Sequence, residues 1–243
     1  MDLGVSAPVV ALLVVVVLLG STIQGIVGLG LNLVSAPVVT MVAPSLMPEL
    51  LLVLAVLLPF FTLARERDDI DWPGLGWVLS ARVPGVALGV LFLALFSDRA
   101  VAIAVAVMVL VGVALTLRSV EVPVRPTTLA TAGLLSGLAG TTTSIGGPPV
   151  AILYQHRPPE QIRATLAVLF TVGAAMSLVG IGLSGHLDTH VLPLALVLVP
   201  CLFVGAWLGN RLQGVFPETR VRYAVLAVCA ASAVVLLARS LLV

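Results

Sequence analysis

Charge is scarce in this chain: 9% of its 243 residues are charged, lysine does not occur, and all twelve basic residues are arginine. The arginines are scattered among short segments and the formal net charge is +1, so no basic patch or stripe supports a nucleic-acid partner. Only two cysteines occur, Cys201 and Cys229; both lie inside apolar runs without metal-ligand spacing, and they read as small buried hydrophobes. No nucleotide-binding loop, HExxH helix or nucleophile elbow appears, which leaves little basis for an enzyme, and no cofactor or resident metal is expected. The start, Met1-Asp2-Leu3-Gly4, lacks the basic region of a cleaved signal peptide, so the first apolar segment is expected to be retained.

What the chain does have is hydrocarbon. With 60% hydrophobic residues and a mean hydropathy of +1.22, it has too little polar surface to face water as a globule and reads as a polytopic, all-α membrane protein. Runs long enough to cross about 30 Å of hydrocarbon fall near residues 47–64, 73–96, 99–117, 162–183, 190–210 and 219–240. Two further stretches, near 8–43 and 127–155, are interrupted by glycine, proline and hydroxyl residues. The first carries Gly25-Ile26-Val27-Gly28-Leu29-Gly30-Leu31-Asn32 through Pro37. The second carries Gly137-Leu138-Ala139-Gly140-Thr141-Thr142-Thr143-Ser144-Ile145-Gly146-Gly147-Pro148-Pro149. Broken helix at membrane depth survives only where protein or a polar cavity receives the freed backbone groups. Matching breaks in two halves point to a transporter.

The arginines select a topology. As one helix, 8–43 would be about 54 Å long, far more than a crossing needs. If each interrupted stretch crosses once, the arginines divide almost evenly between the two sides. If each is a hairpin that leaves on the side it entered, nine of them (65, 67, 118, 125, 157, 163, 211, 220, 222) collect on one face, which the positive-inside bias assigns to the cytoplasm. Both termini are then extracytoplasmic and the halves are inverted. A shift of 112 residues supports the repeat: it lays Gly25, Gly28 and Pro37 on Gly137, Gly140 and Pro149, and Leu54-Ala55-Val56-Leu57 on Leu166-Ala167-Val168-Leu169. The expected organisation is a first repeat over 1–117, a cytoplasmic connector over 118–126 and a second repeat over 127–243. Each repeat is a broken-helix hairpin plus three spanning helices, eight to ten membrane segments in all.

The hairpin tips are the expected site. Glycines permit close approach and positive φ, and Pro37 and Pro148-Pro149 suit the first turn of a new helix. Gln24, Asn32, Ser35, Thr141, Thr142, Thr143 and Ser144 supply neutral donors around Gly25, Gly28, Gly30, Gly140, Gly146, Gly147 and Pro148. Thr142, Thr143 and Ser144 lead among the hydroxyls. Two helix N-termini meeting near the midplane would favour a small anion. Arg82, about 14 Å into its span, either balances substrate charge or snorkels to the interface. Glu49 reads as a helix-start carboxylate or a proton relay. His186, Asp188 and His190 read as a solvated loop, with metal binding or pH sensing as the alternative, and Tyr154-Gln155-His156 as a membrane-interface end with gating potential.

Gln24 through Gly30, Gly137-Leu138-Ala139-Gly140 and Gly146-Gly147-Pro148-Pro149, with the span spacing, resemble the TauE/SafE sulfite-exporter family, also called the toluene sulfonate uptake permease family, over nearly the whole length. The resemblance implies a bacterial or archaeal inner-membrane carrier of small sulfur-containing anions such as sulfite, sulfonates or sulfoacetate. The expectation is therefore a secondary transporter working by alternating access in the lipid bilayer, driven by a solute or ion gradient, with protons favoured and sodium the other candidate. An anion channel and a non-transporting assembly or chaperone subunit are the alternatives.

Overall fold

A computed structural model describes residues 5–117, 122–213 and 218–242. Residues 118–121, within the expected connector, lie outside it, as do the side chains of Arg65, Arg118, Arg220 and Arg222. The described chain is helical, in the order α1 (Ala7–Val27), α2 (Leu31–Val42), a 3-10 turn (Pro44–Leu46), α3 (Glu49–Leu57), α4 (Phe60–Glu66), a second 3-10 turn (Arg67–Asp69), α5 (Trp72–Leu95), α6 (Asp98–Leu117), α7 (Pro126–Thr143), α8 (Pro148–Tyr154), α9 (Pro159–Leu183), α10 (Val191–Leu212) and α11 (Glu218–Leu242). Each half repeats one order: a long helix, a short one reversing from its end, a third, then two long ones.

Among the described residues, six helices are long and apolar enough to cross a bilayer, namely α1, α5, α6, α9, α10 and the Tyr223–Leu242 stretch of α11. Their membership corrects one expectation. The 47–64 run does not form one spanning helix but divides into α3 and α4, with Leu58 and Pro59 between them and Pro59 capping α4. Proline has no N–H to continue the ladder and its ring crowds the preceding turn, so an apolar run continuous in hydropathy is broken in backbone. Its counterpart α9 has no internal proline and runs 25 residues without a break.

The ends of the helices follow from local chemistry. Helix α1 stops where Gly28 enters the left-handed region at φ 83° and returns its N–H to the Gln24 carbonyl, the usual glycine solution for a C-terminal cap. Asp71 caps α5 by accepting from the Gly74 N–H at 3.1 Å, one residue ahead of Trp72-Pro73. Pro148-Pro149 opens α8 as the sequence predicts, but Pro37 lies well inside α2. Glycines 28 and 30 end the preceding turn on their own, so α2 begins six residues before the proline.

Packing interlocks the halves. The most extensive helix pairs are α5 with α7 and α1 with α10, and in each the first arm of one half's hairpin lies along a long helix of the other half. Helices α3 and α9 cross between halves, as do α6 and α11. Membrane helices gain little from expelling water and associate through close packing of small residues. Here Gly25 meets Gly209, where a Cβ on Gly25 would stand 3.0 Å from the Gly209 Cα, and Gly137 meets the α5 backbone, where a Cβ would stand 2.5 Å from the Arg82 carbonyl. Leu13, Val17, Leu31, Leu50, Leu54, Leu198 and Leu202 anchor one buried cluster. Leu75, Val78, Val150, Tyr154, Leu166 and Leu169 anchor a second, and Leu52, Ala55, Ala174 and Ile181 form a small third.

Candidate functional site

The two reversals meet. At the first, the Gln24 side chain reaches across the tip and its Oε1 accepts the Leu31 N–H at 3.1 Å, satisfying one of the donors that the start of α2 leaves unpaired. At the second, α7 ends on Ser144, the described non-glycine residue with positive φ (61°), a conformation that disfavours a Cβ and persists only when neighbours enforce it. The neighbours are visible. Ser144 donates its hydroxyl to the Pro48 carbonyl at 2.9 Å, and its own carbonyl accepts from Asn32 Nδ2 at 2.6 Å. Asn32 thereby ties the start of α2 to the second tip, leaving its buried Oδ1 without a partner.

Between the tips is a cavity of about 20 Å³ lined by Gln24, Gly30, Asn32, Ser144, Gly146 and Phe170, among others. A water needs about 10–15 Å³ of such space, so the tips are closed around room for roughly one water. Gly147 is fixed by this closure, since a Cβ there would come within 2.7 Å of Leu29 Cδ2 and 2.8 Å of Phe170 Cζ.

Arg82 stands behind the second tip. It is 3% exposed, so the structure places it within the protein and not at an interface. Its Nη1 donates to the Ser136 hydroxyl at 2.5 Å, and Ser136 donates in turn to the Gly146 carbonyl at 2.5 Å, so the guanidinium is coupled to a residue that lines the cavity. Gly140, Gly146 and Gly173 leave the space the guanidinium fills; a Cβ on Gly173 would lie 2.7 Å from Cζ. Among the described residues Arg82 has no carboxylate partner, and its buried Nε makes no hydrogen bond. A buried charge without a counter-ion is costly, and such a residue in a membrane helix is a mark of function.

The other nominated residues are placed as follows. Thr142 and Thr143 donate to the Leu138 and Ala139 carbonyls of their own helix, and Thr141 pairs with Ser177 at 2.8 Å. None of the three lines the cavity, whereas Ser144 does. Ser35 is fully buried against Gly20 of α1, its hydroxyl without a partner. Gly25 serves the α1–α10 contact and passes its carbonyl to Gln213 Nε2 at 2.7 Å. Gly28 rests against the Arg163 side chain. Glu49 is buried at the head of α3, and Asp188 accepts the His190 N–H at 2.8 Å in an exposed loop.

Ser136 and Phe170 were not nominated by the sequence. Ser136 lies one turn before Gly140 on the small-residue face of α7, a spacing that would have flagged it. Of two further latches the sequence missed the first, while the second involves Tyr154, which it marks for gating. Arg163 holds Glu66 with bonds of 2.9–3.1 Å from Nη2 and Nε while its stem covers Gly28. Tyr154 donates to Asp71 Oδ2 at 2.7 Å, joining the end of α8 to the start of α5. Beyond the first tip, a larger cavity of about 270 Å³ is lined mostly by apolar residues, with Arg157 and Arg163 among them.

Multiple apolar helices long enough to cross a bilayer, two helix reversals meeting inside the bundle and a buried cation beside them define a multi-pass, all-helical membrane protein. The chain belongs to the sulfite exporter TauE/SafE family, whose model matches residues 12–236. It is 27% identical over 171 residues to a probable sulfite/organosulfonate exporter TauE of Cupriavidus necator, a match covering 66% of each chain, just under two thirds of that relative. It is 28% identical over 170 residues to a probable inner membrane transporter protein TsaS of Comamonas testosteroni, covering 68% of this chain and 71% of that one. No solved structure matches the chain.

Proposed function

We propose that the chain is a secondary transporter of small sulfur-containing anions, built as two inverted repeats whose paired tips form the central site. The carrying observation is Arg82, buried without a carboxylate and joined through Ser136 to the Gly146 carbonyl at the tip. An anion held between the tips supplies the missing counter-charge, and Asn32, Gln24 and Ser144 offer short-range polar contacts. The Cupriavidus necator relative, a probable sulfite/organosulfonate exporter, supports sulfite or an organosulfonate as the cargo. A closed cavity of about 20 Å³ is too small for a three-oxygen sulfur group, so transport requires the tips to part. Alternating access supplies this motion: the larger cavity beyond the first tip serves as the vestibule, and the Arg163–Glu66 pair closes over Gly28. Drive comes from a proton gradient, or from sodium held by freed backbone carbonyls.

Flux in proteoliposomes with sulfite, sulfonates and sulfoacetate tests the reading. Saturable, counter-transport-competent flux of at least one sulfur anion is expected. Unsaturating conductance would make the protein a channel, and absence of flux for every anion would remove the transport reading. The inverted topology is tested separately by introducing Ser119→Cys and Thr189→Cys singly: the first should label from the cytoplasm and the second from outside.

A further inference from the structure

We infer that the site accepts its substrate as a monoanion. This rests on the transporter reading above and adds the charge state of the cargo. Arg82 is a single positive charge, and among the described residues no carboxylate pairs with it. Helix α5 carries no other charged residue, and α7, its most extensive partner, carries none. Helix α9, which also packs on α5, presents Gly173 to the guanidinium. The titratable residues of α9, Glu160 and Arg163, lie thirteen and ten residues earlier in the helix, about 20 and 15 Å away along its axis. The tip from Ser144 to Gly147 is uncharged. Glu49 follows Pro48, whose carbonyl takes the Ser144 hydroxyl, but it forms no ion pair with Arg82.

The residues lining the tip cavity are likewise without a titratable side chain, so none of them takes a proton from the cargo or gives one. The start of α2 adds only a fractional positive charge, on the order of half a unit. One cation and one monoanion make a nearly neutral buried set, with Ser136 and the glycine packing fixing the cation in place. A dianion leaves a full negative charge unpaired in a low-dielectric interior, the arrangement that buried ion pairs tolerate least. The site therefore favours hydrogensulfite over the sulfite dianion, and a simple alkanesulfonate over sulfoacetate or sulfate. Among the expected cargoes, sulfoacetate becomes the disfavoured one.

Equilibrium binding of radiolabelled sulfite to the purified full chain, measured on both sides of neutral pH with unlabelled competitors, decides this. Apparent affinity for total sulfite should weaken as pH rises through the second ionisation of sulfite, approaching about tenfold per pH unit. Methanesulfonate, a monoanion throughout, should compete with an affinity independent of pH, and sulfate and sulfoacetate should compete on the order of a hundredfold more weakly. Arg82→Lys should keep this ranking and Arg82→Gln should abolish it, with thermal stability reporting that each variant is folded. Affinity that holds or rises on the alkaline side, or dianions that compete as well as methanesulfonate, would overturn the charge assignment while leaving the transporter reading standing. If no sulfur anion binds at any pH, that reading fails and the charge assignment falls with it.

Discussion

The two tips solve one backbone problem with different side chains. Each ends a membrane helix on a left-handed residue and reverses the chain, yet the first uses Gly28 and the second Ser144. The first is closed by its own Gln24 and braced from outside by the Arg163 stem. The second is held by groups from elsewhere: Asn32 from α2, the Pro48 carbonyl ahead of α3, and Arg82 from α5 through Ser136. Its returning helix is also shorter, seven residues against twelve. The difference separates two roles. At the first tip glycine takes the left-handed turn without strain, whereas the serine of the second is held there by a polar network, and that network carries the buried charge.

The comparison is broken most severely at the charge. Arg82→Gln should weaken sulfite binding by a hundredfold or more if the anion is its counter-ion, since removing one partner of a buried pair costs about 3–5 kcal/mol; Arg82→Lys should retain much of the binding, because it keeps the charge and loses only the fork geometry. An equal loss in both variants, with the fold intact, would assign Arg82 to shape and not to charge. Ser136→Ala should come next, at about ten- to a hundredfold in affinity, because a hydrogen bond involving a charged group is worth about 1.5–3 kcal/mol. The same titration across the variant reads this directly.

Exchanging the left-handed residues sharpens the contrast in stability. Gly28→Val should lower unfolding stability by about 1–3 kcal/mol, since a β-branched residue is strained at positive φ, and its branch meets the Arg163 side chain, which already lies 3.0 Å from a Cβ at that position. Ser144→Gly should be milder, relieving the backbone while losing the bond to Pro48. Thermal denaturation in detergent should therefore rank Gly28→Val well below Ser144→Gly. The smallest effect is expected from Thr142→Ala with Thr143→Ala: both hydroxyls return to carbonyls of their own helix, so sulfite affinity should change by less than about threefold. A large loss would show that these hydroxyls turn toward the anion when the tips open.

Much of this architecture was legible. Glycine and proline clusters marked both reversals because a membrane interior punishes broken helix without a polar recipient, and hydropathy located the long helices. The register of the repeat was less legible. A shift of 112 residues pairs Gly28 with Gly140, but in the structure the residue equivalent to Gly28 at the end of α7 is Ser144, one helical turn later. Matching glycines misled because the second tip uses an enforced serine where the first uses a permissive glycine. The 47–64 run hid its break since hydropathy does not register the missing N–H of Pro59. The Thr-Thr-Thr-Ser run marked the right turn of chain, but composition does not say which hydroxyls bond back to their own helix. Arg82 drew notice as an intramembrane cation, while its link to the tip depends on Ser136, which only the α5–α7 contact brings into reach.

Locking the tips together tests the central claim most directly. In a background carrying Cys201→Ala and Cys229→Ala, the pair Asn32→Cys and Ser144→Cys occupies the positions that join the tips across the Asn32–Ser144 hydrogen bond. If the anion passes between the tips, oxidation of this pair to a disulfide should abolish the sulfite flux that the reduced double variant shows in proteoliposomes and reduction should bring it back to that level, with either single variant insensitive to oxidant. Undiminished flux through the fully cross-linked protein would contradict the account and place the anion's route elsewhere in the bundle.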